Sequence, residues 1–198
     1  MLSSIGDYIS LVLASMSNKK HNMSMNRILP LGEIYNLENV ALDLNRLLSR
    51  KDNNDIRDGF PATFTRYTGD LRKVVSNLDI AKSLYKTGKR EQFIIFAGTR
   101  AVGLSIVTTD IDNPVGVDES WPNISGFVCN PFRGQGLGRL SIETRMRVVK
   151  ENFNNAAWTF VKNGNKPSEH LVRDVGFKKS RGELASPEGH TLYLFDEK

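Results

Sequence analysis

The sequence predicts an α/β or α+β domain, in which helices cover the faces of a β-sheet, rather than a helical bundle. Two short runs rich in branched and aromatic residues flank Gly98-Thr99-Arg100 and are typical of a β-hairpin. A further run of this kind, residues 124–129, leads into a glycine-rich turn that a helical pattern follows. Strands that alternate with helices in this way indicate a layered sheet. The length of 198 residues suits one such domain.

The first residues are predicted to be an appendage to this domain. Apolar side chains of residues 1–17 fall on one helical face, and residues 17–24 have the polar composition of a linker. We therefore expect a helical extension and linker over 1–24 and the main domain over 25–198. The helix carries Asp7 in its apolar stretch and is too short to cross a bilayer. Packing on the domain, or on a second copy in a homodimer, is favoured over anchoring in a membrane.

The first half of the domain is predicted to hold one strand and two helices. Residues 27–31 are a short candidate strand. Apolar residues spaced three and four apart predict a helix around residues 40–48 and another over 71–85, which Gly88 closes. The stretch between the helices, residues 58–68, contains glycine and proline and is predicted to be irregular.

The second half of the domain is predicted to be rich in strands. A loop with several Asp and Pro residues, 108–122, separates the hairpin from the strand that precedes the glycine-rich turn. Apolar positions after the turn repeat at helical spacing through Phe153. The predicted strands are 93–97, 101–107, 124–129, 156–161, 177–183 and 191–195, and a short helix covers 167–175.

Composition and charge argue against several classes of protein. The formal net charge is +5, but the Lys and Arg residues are interleaved with acidic ones, which disfavours a dedicated nucleic-acid-binding face. Cys129 is the only cysteine, so an intramolecular disulfide is impossible and a reducing, cytoplasmic setting fits best. The three histidines lie far apart and give no metal-ligand spacing. We therefore expect neither a metal site nor a nucleic-acid partner.

The glycine-rich turn is the most informative segment. Three glycines in five positions cost conformational entropy, but they let a ligand approach bare backbone closely. The N–H groups at the start of the following helix favour an anion, and an arginine on either side adds positive charge. The segment is therefore a predicted phosphate or pyrophosphate cradle. It comprises Arg133, Gly134, Gln135, Gly136, Leu137, Gly138 and Arg139.

Two common phosphate-binding motifs do not fit this turn. A Walker loop continues with Lys and then Ser or Thr after its last glycine, whereas Arg139 and Leu140 follow Gly138. A dinucleotide fingerprint, Gly-x-Gly-x-x-Gly, would place its third glycine at Arg139 or at Ser141. Each motif therefore fails at a specific position.

The turn resembles the signature of the GNAT superfamily of N-acetyltransferases. That signature is Arg or Gln, two residues, Gly, one residue, and then Gly or Ala, and Arg133, Gly136 and Gly138 match it. As in the family, a strand ends a few residues before the arginine. The match is short, so its place between a strand and a helix carries much of the weight.

A second match to the same family lies downstream. Family members show an Asn, then a small residue, then a helix that ends in Gly-Phe, and Asn165, Ser168 and Gly176-Phe177 have that spacing. The order of predicted elements over most of residues 25–197 also agrees. The resemblance implies a mixed, mostly antiparallel sheet of about six or seven strands, flanked by helices on both faces.

The resemblance also implies acetyl-CoA as the co-substrate. The backbone of Phe127, Val128 and Cys129 would pair with the pantetheine arm much as one strand pairs with another, and the amides of the turn would hold the pyrophosphate. Asn165 and Ser168 would line the far wall of the cleft. Local roles stay open for both, because Asn165 also suits the cap of the following helix and Ser168 its first turn.

The implied activity is transfer of an acetyl group to an amine of unidentified class, by direct attack on the thioester. Many family members carry a Tyr where Val172 stands, so another group or water would protonate the leaving thiolate here. Glu119, just ahead of the central strand, is the candidate base, and a solvated loop carboxylate is the alternative. The competing functions are an acyl-CoA-binding module with little turnover and an adaptor that uses the N-terminal helix.

Overall fold

The computed structural model describes residues 26–85, 89–180 and 186–197. These residues form one seven-stranded sheet flanked by helices, which confirms the predicted fold class. The predicted extension and linker over 1–24, the helix-closing Gly88 and the end of the predicted strand 177–183 lie outside the described residues.

The predicted hairpin, the strand before the glycine-rich turn and the helix after that turn are all present. The strands are β1 Asn26–Pro30, β2 Arg90–Ala97, β3 Arg100–Thr108, β4 Asn123–Val128, β5 Ala156–Lys162, β6 Lys178–Lys179 and β7 His190–Asp196. The helices are α1 Leu37–Leu48, α2 Asn54–Gly59, α3 Pro61–Tyr67, α4 Leu71–Tyr85, α5 Leu137–Asn152 and α6 Lys166–Asp174. Short 3₁₀ turns cover Leu31–Glu33 and Lys51–Asn53.

The strands lie in the order β1-β2-β3-β4-β5-β7-β6. Every neighbouring pair is antiparallel except β4 and β5, which run parallel. Parallel neighbours need a crossover connection, and here α5 supplies it. The mixed, mostly antiparallel character expected of the sheet is therefore confirmed, and its one parallel junction lies at the centre.

Two apolar cores cover the two faces of the sheet. Alternate residues of a strand point to opposite faces, so Phe127 of β4 packs into the core with α1 and α4, whereas Ile124 packs into the core with α5. The helix α5 lies under β3 and β4, and α6 packs beside it. None of the helices in the described part of the chain combines the length and the apolar character that crossing a bilayer requires.

The prediction of an irregular stretch at residues 58–68 is wrong. Two short helices, α2 and α3, occupy most of it and bury Ile56 and Tyr67. Gly59 ends the first helix, and Pro61 begins the second, where its missing N–H and fixed φ cause no loss. Glycine and proline therefore mark a junction between two helices rather than a loop.

A buried asparagine joins this helical segment to the end of β4. The Asn53 side chain is fully buried, its Nδ2 donates to the Leu47 carbonyl (2.8 Å), and its Oδ1 accepts from the Asn130 N–H (2.7 Å). We expect Asn53→Ala to lower the free energy of unfolding by about 2 kcal/mol, because it leaves both backbone partners unpaired. Urea unfolding measures the loss. As a control, Ala at the neighbouring exposed Asn54 should change the free energy of unfolding by no more than about 0.5 kcal/mol. Equal losses in the two variants would contradict the role of the Asn53 hydrogen bonds.

Candidate functional site

The sheet opens between its two parallel strands. β4 pairs with β3 from Asn123 to Val128, but it pairs with β5 only where Asn123 faces Trp158. At that point the Trp158 N–H donates to the Pro122 carbonyl (3.0 Å). Beyond Asn123 the strands diverge toward the carboxyl end of β4. The β4–β5 gap, defined as the side of residues 125–128 that faces β5, is therefore an unpaired strand edge inside the sheet.

The amides that face this gap follow from the hydrogen bonds on the other side. The Cys129 N–H donates to the Val102 carbonyl of β3 (2.8 Å). The N–H and C=O groups of successive residues point to opposite sides of a strand. The N–H of Phe127 therefore also points to β3, whereas the N–H groups of Gly126 and Val128 point into the gap. Of the three strand residues expected to contact pantetheine, only Val128 thus directs its amide there. Gly126 was not foreseen.

Cys129 is a packing residue. Its side chain is buried, and burial raises the pKa of the thiol to about 12. A thiol that resists ionisation is a poor nucleophile. Cys129 therefore contributes to the core rather than to covalent chemistry.

The glycine-rich turn, residues 133–138, lies at the open end of the gap. Gly134 and Gly136 have φ of 78° and 79°, and a Cβ on either would meet nothing within 4 Å. Residues 133–136 are exposed. In the described part of the chain, no backbone N–H from 133 to 139 donates to a protein acceptor, and the first such bond runs from Leu140 N–H to the Gly136 carbonyl (3.1 Å). The turn therefore presents free donors at a helix N-terminus, which suits an anion.

Arg133 connects the glycine-rich turn to β4 and α2. Its Nε donates to the Val128 carbonyl (2.7 Å), and its Nη1 and Nη2 lie 2.8 and 3.2 Å from the carboxylate oxygens of Asp55. This bidentate pair joins the end of β4 to α2 and neutralises the arginine. The sequence predicted Arg133 as a source of positive charge, and it did not reveal the acidic partner.

The remaining residues of the turn are also held by the protein. Arg139 pairs with Glu143 (2.9 Å) and Asp174 (3.3 Å), and Gln135 Nε2 donates to the Pro131 carbonyl (3.3 Å). Leu137 is buried, and a Cβ on Gly138 would lie 3.2 Å from Leu171 Cδ1 of α6. Main-chain N–H groups, rather than arginine side chains, are thus the free donors for a ligand.

Asn165 and Ser168 lie together at the start of α6. The Asn165 side chain accepts a hydrogen bond from the Ser168 N–H (3.3 Å), so Asn165 caps the helix. This is the local role that the sequence left open, and it does not exclude contact with a ligand. Val172, farther along α6, is buried.

Glu119 is not brought to the gap. It is exposed in the loop before β4, at the opposite end of that strand from the glycine-rich turn. Within the described residues, its carboxylate forms no ion pair. The same part of the chain also contains no group of three His, Cys, Asp or Glu side chains that could hold a metal ion.

Arg145 lies beside the candidate site and was not predicted from the sequence. It lies on α5 beneath β4, with Nη1 3.5 Å from the position a Cβ of Gly126 would take. Its Nε donates to the Ser141 carbonyl (3.4 Å). Burial lowers the pKa of the guanidinium to about 10. The available signal was an arginine inside the apolar stripe formed by Ile142, Met146 and Val149.

Searches with the sequence itself return nothing: no protein-family model matches it, and neither does any curated protein. Solved structures do match. RimJ of Mycobacterium smegmatis, in complex with a CoA-disulfide, has a TM-score of 0.59 at 12% identity, covering 86% of this chain and 87% of that one. The ribosomal-protein-S5-alanine acetyltransferase of Vibrio fischeri has a TM-score of 0.57 at 12% identity, covering 90% and 96%. The microcin C7 self-immunity acetyltransferase MccE, with acetyl-CoA and AMP, has a TM-score of 0.57 at 15% identity, covering 84% and 91%.

These similarities establish the fold. The chain covers nearly the whole of each of these proteins, and the shared architecture is that of the GNAT N-acetyltransferases. The β4–β5 gap and the glycine-rich turn therefore lie within the fold that this chain shares with these proteins.

Proposed function

From a fold shared with GNAT N-acetyltransferases, we propose that the protein transfers an acetyl group from acetyl-CoA to an amine. One observation carries the proposal: the free amides of the glycine-rich turn lie at the open end of a gap whose edge is also unpaired. A diphosphate and an extended amide-containing arm are the chemical groups that such donors suit. MccE, which has this fold, was solved with acetyl-CoA.

The residues present fit the coenzyme. Gly134 and Gly136 leave open space where a Cβ would stand, so a diphosphate can approach the amides of residues 133–138. The Val128 and Gly126 amides would pair with the pantetheine arm. Asn165 and Ser168 would line the wall on the α6 side. Acetyl-CoA would supply an acetyl group activated as a thioester.

The strand edge also suits the reaction. Attack by a neutral amine places negative charge on the thioester oxygen, and an N–H fixed in the sheet can donate to it without reorganisation. Gly126 or Val128 would be that donor. Glu119 is the base proposed from the sequence; since it is exposed and distant from the turn, water is the alternative acceptor of the amine proton. The lone cysteine is compatible with the proposed cytoplasmic location.

Release of free thiol from acetyl-CoA in the presence of a panel of amines tests the proposal. The panel includes polyamines, amino sugars, aminoacyl nucleotides and peptides with free N-termini, and hydrolysis without amine is subtracted. Background from the protein is expected to be low, because its single cysteine is buried and its pKa is raised to about 12. We expect thiol release with at least one amine and a mass increase of the product by one acetyl group.

A coenzyme-binding module with weak or no turnover is the second candidate. The observation in its favour is Val172, a buried apolar side chain on α6 where a proton donor would assist departure of the thiolate. Tight CoA binding by calorimetry without thiol release for any amine would favour this candidate. Absence of CoA binding would contradict both.

A further inference from the structure

Arg145 occupies a position where an apolar residue is the expected choice. Three residues before it and four residues after it on α5, Ile142 and Val149 are 2% and 0% exposed and belong to the face that packs under the sheet. Residues at these spacings share one helix face. The arginine is therefore directed at β4 from the middle of this face, and it meets the strand at Gly126.

No acidic group of the described residues balances this cation. Among those residues its side chain donates to the Ser141 carbonyl, and no carboxylate lies within 4.0 Å of the guanidinium. The pKa of Arg145 is lowered to about 10 by burial alone, with no contribution from a neighbouring charge, so the group stays protonated at neutral pH. Keeping an uncompensated cation inside a protein costs free energy, and such groups concentrate at functional sites.

Arg145 lies against the strand that forms one edge of the β4–β5 gap. Ser105 and Ser141 are 0% and 2% exposed, and the Ser105 hydroxyl donates to the Ser141 carbonyl (3.4 Å) that also accepts from Arg145 Nε. Arg145 itself keeps part of its surface exposed. Gly126, against which Nη1 lies, directs its own amide into the gap. A Cβ at Gly126 would lie in ordinary van der Waals contact with Nη1 (3.5 Å) but would overlap the Leu104 carbonyl oxygen (2.6 Å), so the close approach of β3 is what requires glycine there.

On the basis of the function proposed above, we propose that Arg145 stabilises the thiolate that leaves when the acetyl group is transferred. In that step the amine nitrogen bonds to the thioester carbon, the C–S bond breaks, and its electron pair stays on sulfur. The amine proton goes to water or a base. A guanidinium N–H then donates to the sulfur anion, which water protonates afterwards. In a partly buried site the attraction between these charges exceeds its value in water.

The position of Arg145 along β4 favours this role over binding of phosphate. The glycine-rich turn, at the carboxyl end of β4, already provides free amides for the diphosphate. Gly126 lies farther along the strand, where the arm that begins at the turn would bring its sulfur. The α6 side chain Val172 offers no proton donor on this side of the sheet. At this position the guanidinium would form an ion pair with the leaving thiolate.

The experiment uses CoA itself as the probe. A thiolate absorbs ultraviolet light that the thiol does not absorb, so a pH titration of CoA bound to the protein gives the pKa of its thiol. We expect the wild-type protein to lower this pKa by about one unit relative to free CoA, a tenfold larger thiolate-to-thiol ratio at a given pH. Cys129 does not interfere, since its pKa is raised to about 12. In Arg145→Met the shift should disappear, and Arg145→Lys should restore part of it.

Two further measurements separate this role from a structural one. With an amine that the thiol-release assay identifies, Arg145→Met should lower kcat about tenfold and change KM for acetyl-CoA by less than about threefold. The control is Arg147→Met, an exposed arginine on the same helix, which should leave the thiol pKa and kcat unchanged. Thermal unfolding identifies any variant that fails to fold. If Arg145→Met does not fold, the thiol pKa and kcat of Arg145→Lys are compared with those of the wild type.

The possible negative results distinguish the proposed function from the role of Arg145. If wild-type protein does not bind CoA, both the proposed function and the role of Arg145 are wrong. If CoA binds and its thiol has the same pKa in wild type and Arg145→Met, only the role of Arg145 is wrong. The same holds if the variant only weakens CoA binding, or if it abolishes a preference for succinyl-CoA, which would make Arg145 a ligand for an acyl carboxylate.

Discussion

Replacing Gly136 with tryptophan is expected to raise the dissociation constant for CoA by at least about a hundredfold, equivalent to about 2.7 kcal/mol. The residue has a φ of 79°, and its Cβ position opens onto free space at the turn. An indole there would fill the space through which a diphosphate approaches the amides. Isothermal titration calorimetry with CoA measures the change.

The matched control is Gly69→Trp. Gly69 also has a left-handed φ, 91°, and also has nothing within 4 Å of its Cβ position, but it lies between α3 and α4. Both substitutions therefore impose similar backbone strain on an exposed turn, and their melting temperatures should fall by similar amounts. Only Gly136→Trp should lose CoA. Unchanged CoA affinity in that variant would show that the turn does not hold the diphosphate.

The second large effect is expected at Gly103 of β3, where close packing of two strands requires glycine. A Cβ at this position would overlap the Phe127 carbonyl oxygen and lie 3.2 Å from Ile95 Cδ1. Gly103→Ala therefore forces β3 away from β4, and we expect the free energy of unfolding to fall by about 3 kcal/mol. Urea unfolding followed by tryptophan fluorescence measures the loss. CoA affinity should fall as well, because β4 is one edge of the gap.

Gly59→Ala provides the comparison for this prediction. A Cβ at Gly59 would contact nothing within 4 Å, and its φ is not in the left-handed region. Stability should stay the same or rise by up to about 1 kcal/mol, since alanine restricts the unfolded chain more than glycine. If the two alanine variants have the same stability, close contact between β3 and β4 at Gly103 is not what requires glycine there.

The parts of the fold that could be predicted from the sequence are those that depend on local geometry. Gly98, with a φ of 61°, turns the chain between β2 and β3, and a two-strand pattern with glycine between is sufficient to predict it. The order of β4, glycine-rich turn and α5 could be predicted in the same way. It depends on glycine in the turn and on apolar spacing in the helix, which are features of neighbouring residues.

The parts that could not be predicted depend on contacts across the sheet. Asp55, which pairs with Arg133, precedes it by 78 residues in the sequence. No local sequence pattern predicts that pair. Arg145 is visible as a charge in an apolar stripe, but its significance depends on the strand that it faces, where Nη1 lies 3.5 Å from the Cβ position of Gly126. Which amides of β4 are free likewise depends on its register with β3. The sequence thus predicted the type of site from local signals, whereas the direction of the amides along its strand edge follows only from the register of the sheet.

The ties between β4 and the helices before it bear on the order of folding. Arg133 reaches Asp55 and Asn130 reaches Asn53 over 78 and 77 residues. Closing a loop of that size costs chain entropy before any contact compensates for it, so such pairs form after the nearby hairpin β2–β3. The conformation of the turn is therefore completed only when two distant parts of the polypeptide have met.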